Sequence, residues 1–310
     1  MDYSIVQLAR ENAKDLIPLF DIVFHKRVTE EYIVKKYNTS IFGPSFLGFI
    51  AYDGLKHAVG FYGAVPCNVI YRDETTLAAQ TTDLMIYPLY RKTKLFYELA
   101  MRLHELAKNR SSGFLFAFPN EISLHIHNDK LQWNYMERLN VYTIPVNTLP
   151  LHTIFRRFSS TKKLYDKFAS SFLQKRTSTR GSIHNSVIDE YTGGILRDAD
   201  YYDYKKYNGA TILDVNGYRV WVNVKNGLWI GDMEVMPERE FRETIRALQK
   251  IAFFMGLQKI EFQTSPGSRL DRLFSRFFNS TPGFPVMCLD FNSVIPPGRI
   301  KFTLGDIDIF

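Results

Sequence analysis

The chain has 310 residues, 45% of them apolar and 15% aromatic, enough for a substantial core and too apolar for a disordered protein. It contains no run of about 18 apolar residues. Met1-Asp2-Tyr3-Ser4 lacks a basic stretch followed by an apolar one, so a cytoplasmic protein without membrane span or signal peptide is expected. The net charge of +7 is uneven: residues 1–150 hold 16 Lys/Arg against 15 Asp/Glu, and residues 151–310 hold 23 against 17.

In chain order, Tyr3–Gln7 reads as a strand, and Asn12 to Phe24 and Thr29 to Lys36 as helices. Phe46 to Tyr52 and Ala58 to Tyr71 form a hairpin across Asp53-Gly54, two apolar runs joined by a turn dipeptide. A strand from Thr76 to Ile86 ends at Tyr87-Pro88, and Tyr90-Arg91-Lys92-Thr93-Lys94 is a basic turn. Leu95, Phe96, Leu99, Leu103 and Leu106 then recur at spacings of three and four, one face of a helix. Gly113 to Phe118 is an apolar strand broken by Phe118-Pro119-Asn120, and Tyr142 to Val146 closes the set. A strand feeding a basic turn and a helix N-terminus favours phosphate, because free amides and the helix dipole both attract it. That points to a phosphate-bearing cofactor.

Residues 151–185 read as a basic linker in which Arg156, Arg157, Lys162, Lys163, Lys167, Lys175, Arg176 and Arg180 face only Asp166. Such a run suits nucleic acid, an anionic membrane surface or an acidic substrate. With few aromatics placed for stacking and no nucleic-acid motif, it reads first as a solvated linker helix, and a nucleic-acid partner is not expected. Beyond it, Ala210 to Val215, Tyr218 to Val224 and Leu228 to Val235 are strands joined by Asn216-Gly217 and Asn226-Gly227 turns. Pro237 to Phe254 is a helix with Gly256 after its end. Lys259 to Gln263 (strand), Leu270 to Phe278 (helix), Val286 to Phe291 and Ile300 to Leu304 (strands) complete an order that repeats the first half.

Asp83-Leu84-Met85-Ile86-Tyr87-Pro88-Leu89-Tyr90-Arg91 and Phe118-Pro119-Asn120-Glu121-Ile122-Ser123 resemble motifs of the GNAT superfamily, the acetyl-CoA-dependent N-acetyltransferases. Leu131-Gln132-Trp133 stands where the family has Leu-Gly-Trp, and the tail Thr303-Leu304-Gly305-Asp306-Ile307-Asp308 resembles the end of tandem members in a bacterial branch. The resemblance implies an α/β fold of α+β type. Two GNAT-like domains stand in tandem, 1–150 and 186–310, each a mixed, mostly antiparallel sheet flanked by helices. In the family the sheet splays open between its fourth and fifth strands to admit the cofactor arm. By that resemblance, backbone groups at Met85 and Ile86 line the arm, Arg91, Lys92, Thr93, Lys94 and Leu95 hold the pyrophosphate of acetyl-CoA, and Asn120 and Ser123 bond the arm.

The departures are specific. Lys94 stands where the family's loop has its first glycine and Phe96 where it has a small residue. Lys94 either adds a cation for the phosphates or marks a loop that no longer binds CoA; retained binding is the reading we take. In the second copy, Met236-Pro237-Glu238-Arg239-Glu240 puts carboxylates where pyrophosphate would sit, so that copy is expected to bind none.

Acyl transfer to an amine needs a base for the ammonium and an acid for the leaving thiolate. Asp83 is the candidate base, the alternative being a structural carboxylate bonded to the backbone. His127, at the position where the family often has a proton-donating Tyr, is the candidate acid, the alternative being a solvent-facing histidine. His25, His57 and His104 show no metal spacing, and Cys67 and Cys288 read as free buried thiols, so no metal is expected. The leading expectation is an N-acyltransferase moving an acetyl or similar group from acyl-CoA to a small-molecule amine, with amino sugars or sugar nucleotides as the implied acceptors. A tRNA-dependent aminoacyltransferase of the tandem type and a degenerate, non-catalytic binding protein are the alternatives. The sequence does not fix the oligomeric state.

Overall fold

The computed structural model describes residues 2–155 and 159–310. Its strands are β1 (Tyr3–Gln7), β2 (Gly48–Asp53), β3 (Ala58–Tyr71), β4 (Glu74–Ile86), β5 (Phe114–Ala117), β6 (Asn134–Pro145), β7 (Gly194–Ile195), β8 (Thr211–Val215), β9 (Tyr218–Val224), β10 (Leu228–Met233), β11 (Lys259–Thr264) and β12 (Ser280–Asp290). The helices are α1 (Ile17–Phe24), α2 (Glu30–Tyr37), α3 (Leu95–Asn109), α4 (Glu121–His125), α5 (Leu151–Phe155), α6 (Ser159–Gln174), α7 (Ala199–Lys205), α8 (Glu238–Phe254) and α9 (Arg269–Phe274).

These elements form two compact units: Met1–Glu137 with Phe284–Ile300, and Arg138–Gly283 with Lys301–Phe310. In unit 1, β1 to β4 are successive antiparallel neighbours. β5 joins β4 in parallel after the α3 crossover, and β12 pairs antiparallel with β5. In unit 2, β8, β9 and β10 are antiparallel, β11 joins β10 in parallel after α8, and β6 pairs antiparallel with β11. Both units are therefore mixed, mostly antiparallel sheets in which three successive antiparallel strands lead through a helix to a parallel fourth. The division differs from a cut near residue 150, because the strand completing each sheet comes from the other half of the sequence.

The apolar periodicities place the helices as expected. Leu95, Leu99 and Leu103 on α3 are fully buried over β3 and β5 in the unit 1 core. Phe241, Ile245 and Leu248 on α8 do the same in unit 2. Asn216 and Gly217 sit at φ 54 and 84, the left-handed pair that a tight hairpin needs. Several expectations change. The stretch read as one helix from Asn12 to Phe24 is a 3-10 turn over Arg10–Leu16 followed by α1, α9 ends at Phe274 rather than Phe278, and β12 begins at Ser280 rather than Val286. β6 begins at Asn134, because the polar stretch before Tyr142 continues the ladder. Residues 300–304 form no strand, only bridges at Ile300 and Thr303 before a 3-10 turn that begins at Leu304. The basic segment is not a free linker: Tyr165, Ala169 and Leu173 on α6 are built into the unit 2 core. Arg156 and Arg157 lie outside the described residues.

Candidate functional site

The distinctive feature of unit 1 is a bulge in β4. Phe61 pairs with Met85 and Gly63 with Thr82, so Tyr62 alone opposes Asp83 and Leu84. Asp83 takes φ 52, a left-handed conformation that Asp tolerates better than most residues. Two consecutive residues of α2 hold its carboxylate: Lys36 Nζ pairs with Oδ2 at 2.7 Å and the Tyr37 hydroxyl donates to the same oxygen at 2.7 Å. Lys36 also donates to Thr82 Oγ1 at 3.0 Å and is only 2% exposed. Neither Lys36 nor Tyr37 is signalled in the sequence, where Lys36 reads as the end of a helix and Tyr37 as the residue after it.

The parallel ladder between β4 and β5 covers only Ala78–Gln80 and Phe114–Phe116. Beyond it β4 continues through the bulge to Met85, fully buried, and Ile86. The basic turn then leads into α3. Thr93 Oγ1 donates to the Tyr90 carbonyl at 2.7 Å and accepts from the Leu95 amide at 3.2 Å, closing the turn. Among the described residues the amides of Lys92, Lys94, Phe96 and Tyr97 carry no hydrogen bond. They form the unpaired donor cluster of a helix start, with the exposed side chains of Arg91, Lys92 and Lys94 around it. Lys94 sits at φ −77, ψ −1, a right-handed conformation open to any residue, so the missing glycine costs no backbone strain. The Arg91 Nε points back to the Ile86 carbonyl at 3.4 Å.

After β5, Asn120 caps α4: its Oδ1 accepts from the Ser123 amide at 2.9 Å. The expected pair Asn120 and Ser123 is thus brought together, as cap and capped residue. α4 passes into a single π-turn, Ile126–Lys130, and Gln132 follows at φ 54. The family glycine at this position matches that left-handed conformation, which Gln132 adopts at a cost.

The π-turn carries His127 inward, to 3% exposure. Its Nδ1 lies 2.7 Å from the Ser123 carbonyl and its Nε2 3.0 Å from the Tyr62 hydroxyl. A carbonyl only accepts, so Nδ1 carries the proton and Nε2 accepts from Tyr62. Its ring meets Trp133 edge-on at 4.9 Å, and His104 packs on the same Trp133 at 5.6 Å. Burial holds the His127 pKa below its usual 6.5, with the Ser123 bond opposing, and burial plus repulsion from His127 lowers His104 to about 4. Burial also raises the Tyr62 phenol. A neutral His127 whose only proton is committed to Ser123 has none to give a thiolate, which is the physical objection to the acid role. Tyr62, which joins His127 to the position opposite Asp83, has only the alternation of β3 as a sequence signal.

Unit 2 repeats the bulge but fills the gap beside it. β9 and β10 slip register between Ile230 and Asp232. Buried Asp232 pairs with Arg197, as Asp83 does with Lys36. β10 and β11 pair only over Leu228–Ile230 and Ile260–Phe262, and the chain's last residues follow β11 onward. Thr303 bridges Thr264, Phe302 exchanges bonds with Ser265, and Arg197 Nε and Nη2 reach Asp306 at 2.9 and 2.7 Å. A Cβ on Gly305 would stand 2.3 Å from the Trp221 ring, and one on Gly231 2.4 Å from Phe310, so the tail packs without room to spare. At the start of α8, Glu238 pairs with Arg276 at 2.9 Å.

No protein-family model and no curated sequence matches the chain. Solved structures do. A GCN5-related N-acetyltransferase from Kribbella flavida aligns with 94% of this chain and 72% of its own, at 10% identity and a TM-score of 0.56. A conserved protein of unknown function from Enterococcus faecalis V583, described as a probable N-acyltransferase, aligns over 94% and 73%, at 12% identity and 0.57. A GCN5-related N-acetyltransferase from Anabaena variabilis ATCC 29413 aligns over 93% and 72%, at 12% identity and 0.50. The chain thus has the fold of the GCN5-related N-acetyltransferases. At these identities the likeness establishes the fold alone. Among the described residues no group of three His, Cys, Asp or Glu side chains is placed to hold a metal, and no helix is long and apolar enough to cross a membrane.

Proposed function

We propose that unit 1 is an N-acyltransferase carrying an acetyl or similar acyl group from acyl-CoA to the amine of a small molecule, with amino sugars and sugar nucleotides as the acceptor class the sequence resemblance implies. One observation carries the reading. Directly after a bulged strand that has parted from its neighbour, the amides of Lys92, Lys94, Phe96 and Tyr97 point out of a turn bearing three cations. That donor set fits a pyrophosphate.

In the reaction the acceptor nitrogen bonds the acyl carbon, the carbon–sulfur bond breaks, the nitrogen loses a proton and the departing thiolate gains one. Asp83, held by Lys36 and Tyr37, keeps the bulge in shape beside the acyl position. His127 fixes the Tyr62 hydroxyl from behind. Unit 2 binds no CoA in this reading, its gap being filled by the tail and its helix start bearing Glu238 and Glu240.

Acetyl-CoA should raise the melting temperature, since a ligand at a hundred times its Kd adds about 2.7 kcal/mol to the native state. Arg91→Ala should weaken binding about tenfold or more, the ~1.5 kcal/mol of one charged hydrogen bond, while Glu238→Ala should leave it unchanged. No calorimetric heat and no thermal shift with acetyl-CoA at millimolar concentration would refute the proposal.

A further inference from the structure

Helix α6 turns two parallel rows of side chains to solvent. Leu164, Phe168 and Phe172 recur every fourth residue, which stacks them along one line of the helix. Leu164 is 66% and Phe168 46% exposed. Next to this line runs a second, Lys163, Lys167, Ser171 and Lys175, and between the two lies a shallow groove of about 390 Å³. Phe172 leans on the unit 2 core, but packing does not call for the exposed Leu164 and Phe168, because the inward line of Tyr165, Ala169 and Leu173 already seats the helix there. Among the described residues no carboxylate pairs with Lys163, Lys167 or Lys175. Arg176, one turn further along the apolar line, lies over the Phe172 ring at 4.0 Å. The end of α8 adds Phe253 and Phe254, 49% and 62% exposed, and is tied to α6 by the Tyr165 hydroxyl donating to the Met255 carbonyl at 2.8 Å.

A polyanion in water would use the lysines and leave Leu164 and Phe168 wet. A protein partner would bury the apolar row but leave the unpaired lysines uncompensated unless it were acidic there. An anionic bilayer satisfies both rows at once: apolar side chains enter the acyl boundary while lysines beside them extend to the lipid phosphates. We propose that α6, with the end of α8, is a peripheral docking surface for an anionic lipid bilayer. The proposal is independent of the acyltransferase reading, since it uses no residue of unit 1.

The test is co-sedimentation of the full chain with vesicles of phosphatidylcholine alone and of phosphatidylcholine mixed with phosphatidylglycerol, at low and high salt. Binding is expected only with phosphatidylglycerol, falling steeply with salt. Lys167→Glu/Lys175→Glu should weaken it by roughly fivefold or more per lysine, and Leu164→Ser/Phe168→Ser should also weaken it, with unchanged melting temperatures because these side chains are exposed. Failure of the wild type to bind either vesicle would overturn the proposal, as would equal binding by both variants. Salt-sensitive tRNA binding lost in the lysine variant, with vesicles ignored, would assign the surface to nucleic acid instead. A dimer by light scattering that Leu164→Ser/Phe168→Ser dissolves, again with vesicles ignored, would assign it to a second copy.

Discussion

Replacing Asp83 separates a residue that shapes the site from one that removes a proton. Asn keeps the size of Asp and tolerates the left-handed backbone at φ 52 equally well, so the substitution is conformationally neutral. It retains an acceptor for the Tyr37 hydroxyl. What it removes is the counter-charge of Lys36, an ammonium 2% exposed that also donates to Thr82. Breaking a buried ion pair by removing one of its charges costs about 3–5 kcal/mol. At two to four degrees per kcal/mol, that lowers the melting temperature by roughly 6–20 °C. Lys36→Met alone should cost less, because the Asp83 side chain is 11% exposed and can reach water. The double variant Lys36→Met/Asp83→Asn should recover most of the loss, since no charge is then buried. Differential scanning calorimetry reads all three without knowledge of the acceptor, and thiol release from acetyl-CoA in the presence of amines reads activity. An Asp83→Asn variant that melts with the wild type but no longer turns over would refute the ion-pair reasoning and restore Asp83 as base.

Three further outcomes are expected. His104 has its pKa lowered to about 4 by burial, against an ordinary 6.5, so the unfolded chain binds its proton first as pH falls. The stability this represents is whole above pH 6.5 and is lost between 6.5 and 4, about 3 kcal/mol at 1.36 kcal/mol per unit; urea titrations at neutral and mildly acid pH should show it, and His104→Leu should flatten the dependence. Asp306→Asn weakens two charge-assisted bonds from Arg197, which stays paired with Asp232, and should destabilise unit 2 by about 1–3 kcal/mol, with a calorimetric transition unshifted from wild type arguing against the tail as a fixed element. Gln132→Gly should stabilise the protein by about 1 kcal/mol by relieving the left-handed backbone, and a lower melting temperature would show that Gln132 makes contacts outweighing the strain.

Periodicity and turn chemistry made most elements legible: β1, β3 and β9 run where apolar alternation and Asn-Gly turns place them, and α3 begins at Leu95. The pairing was not legible. β6 and β12 carry no mark of which sheet they join, since an alternating strand fits any open edge. At the site, the basic turn and the Phe118-Pro119-Asn120 break stood out because they are local, whereas the capping role of Asn120 did not. The partners of Asp83 and His127 did not, because Lys36, Tyr37 and Tyr62 lie 46 to 65 residues from them in sequence and are ordinary members of a helix end and a strand. Burial decided the rest: a histidine on a short polar helix gives no sign that a π-turn will carry it under Trp133.

The two units show how one local device serves two ends. Each has a β-bulge with an aspartate paired to a buried cation, Lys36 in one and Arg197 in the other. Each stops its parallel ladder after three pairs. In unit 2 the aspartate is fully buried, the cation is shared with Asp306, and the tail covers the parted strands. In unit 1 the aspartate remains partly exposed, one residue past the strand register at which Tyr62 reaches His127. The bulge and ion pair are therefore a way of holding two parallel strands apart, since they occur where nothing but the chain itself is accommodated. Function must then lie in what differs. Carboxylates stand at the α8 start and cations with unpaired amides at the α3 start, and it is on this difference in charge, more than on the shared fold, that the proposal of an acyl-CoA site in unit 1 rests.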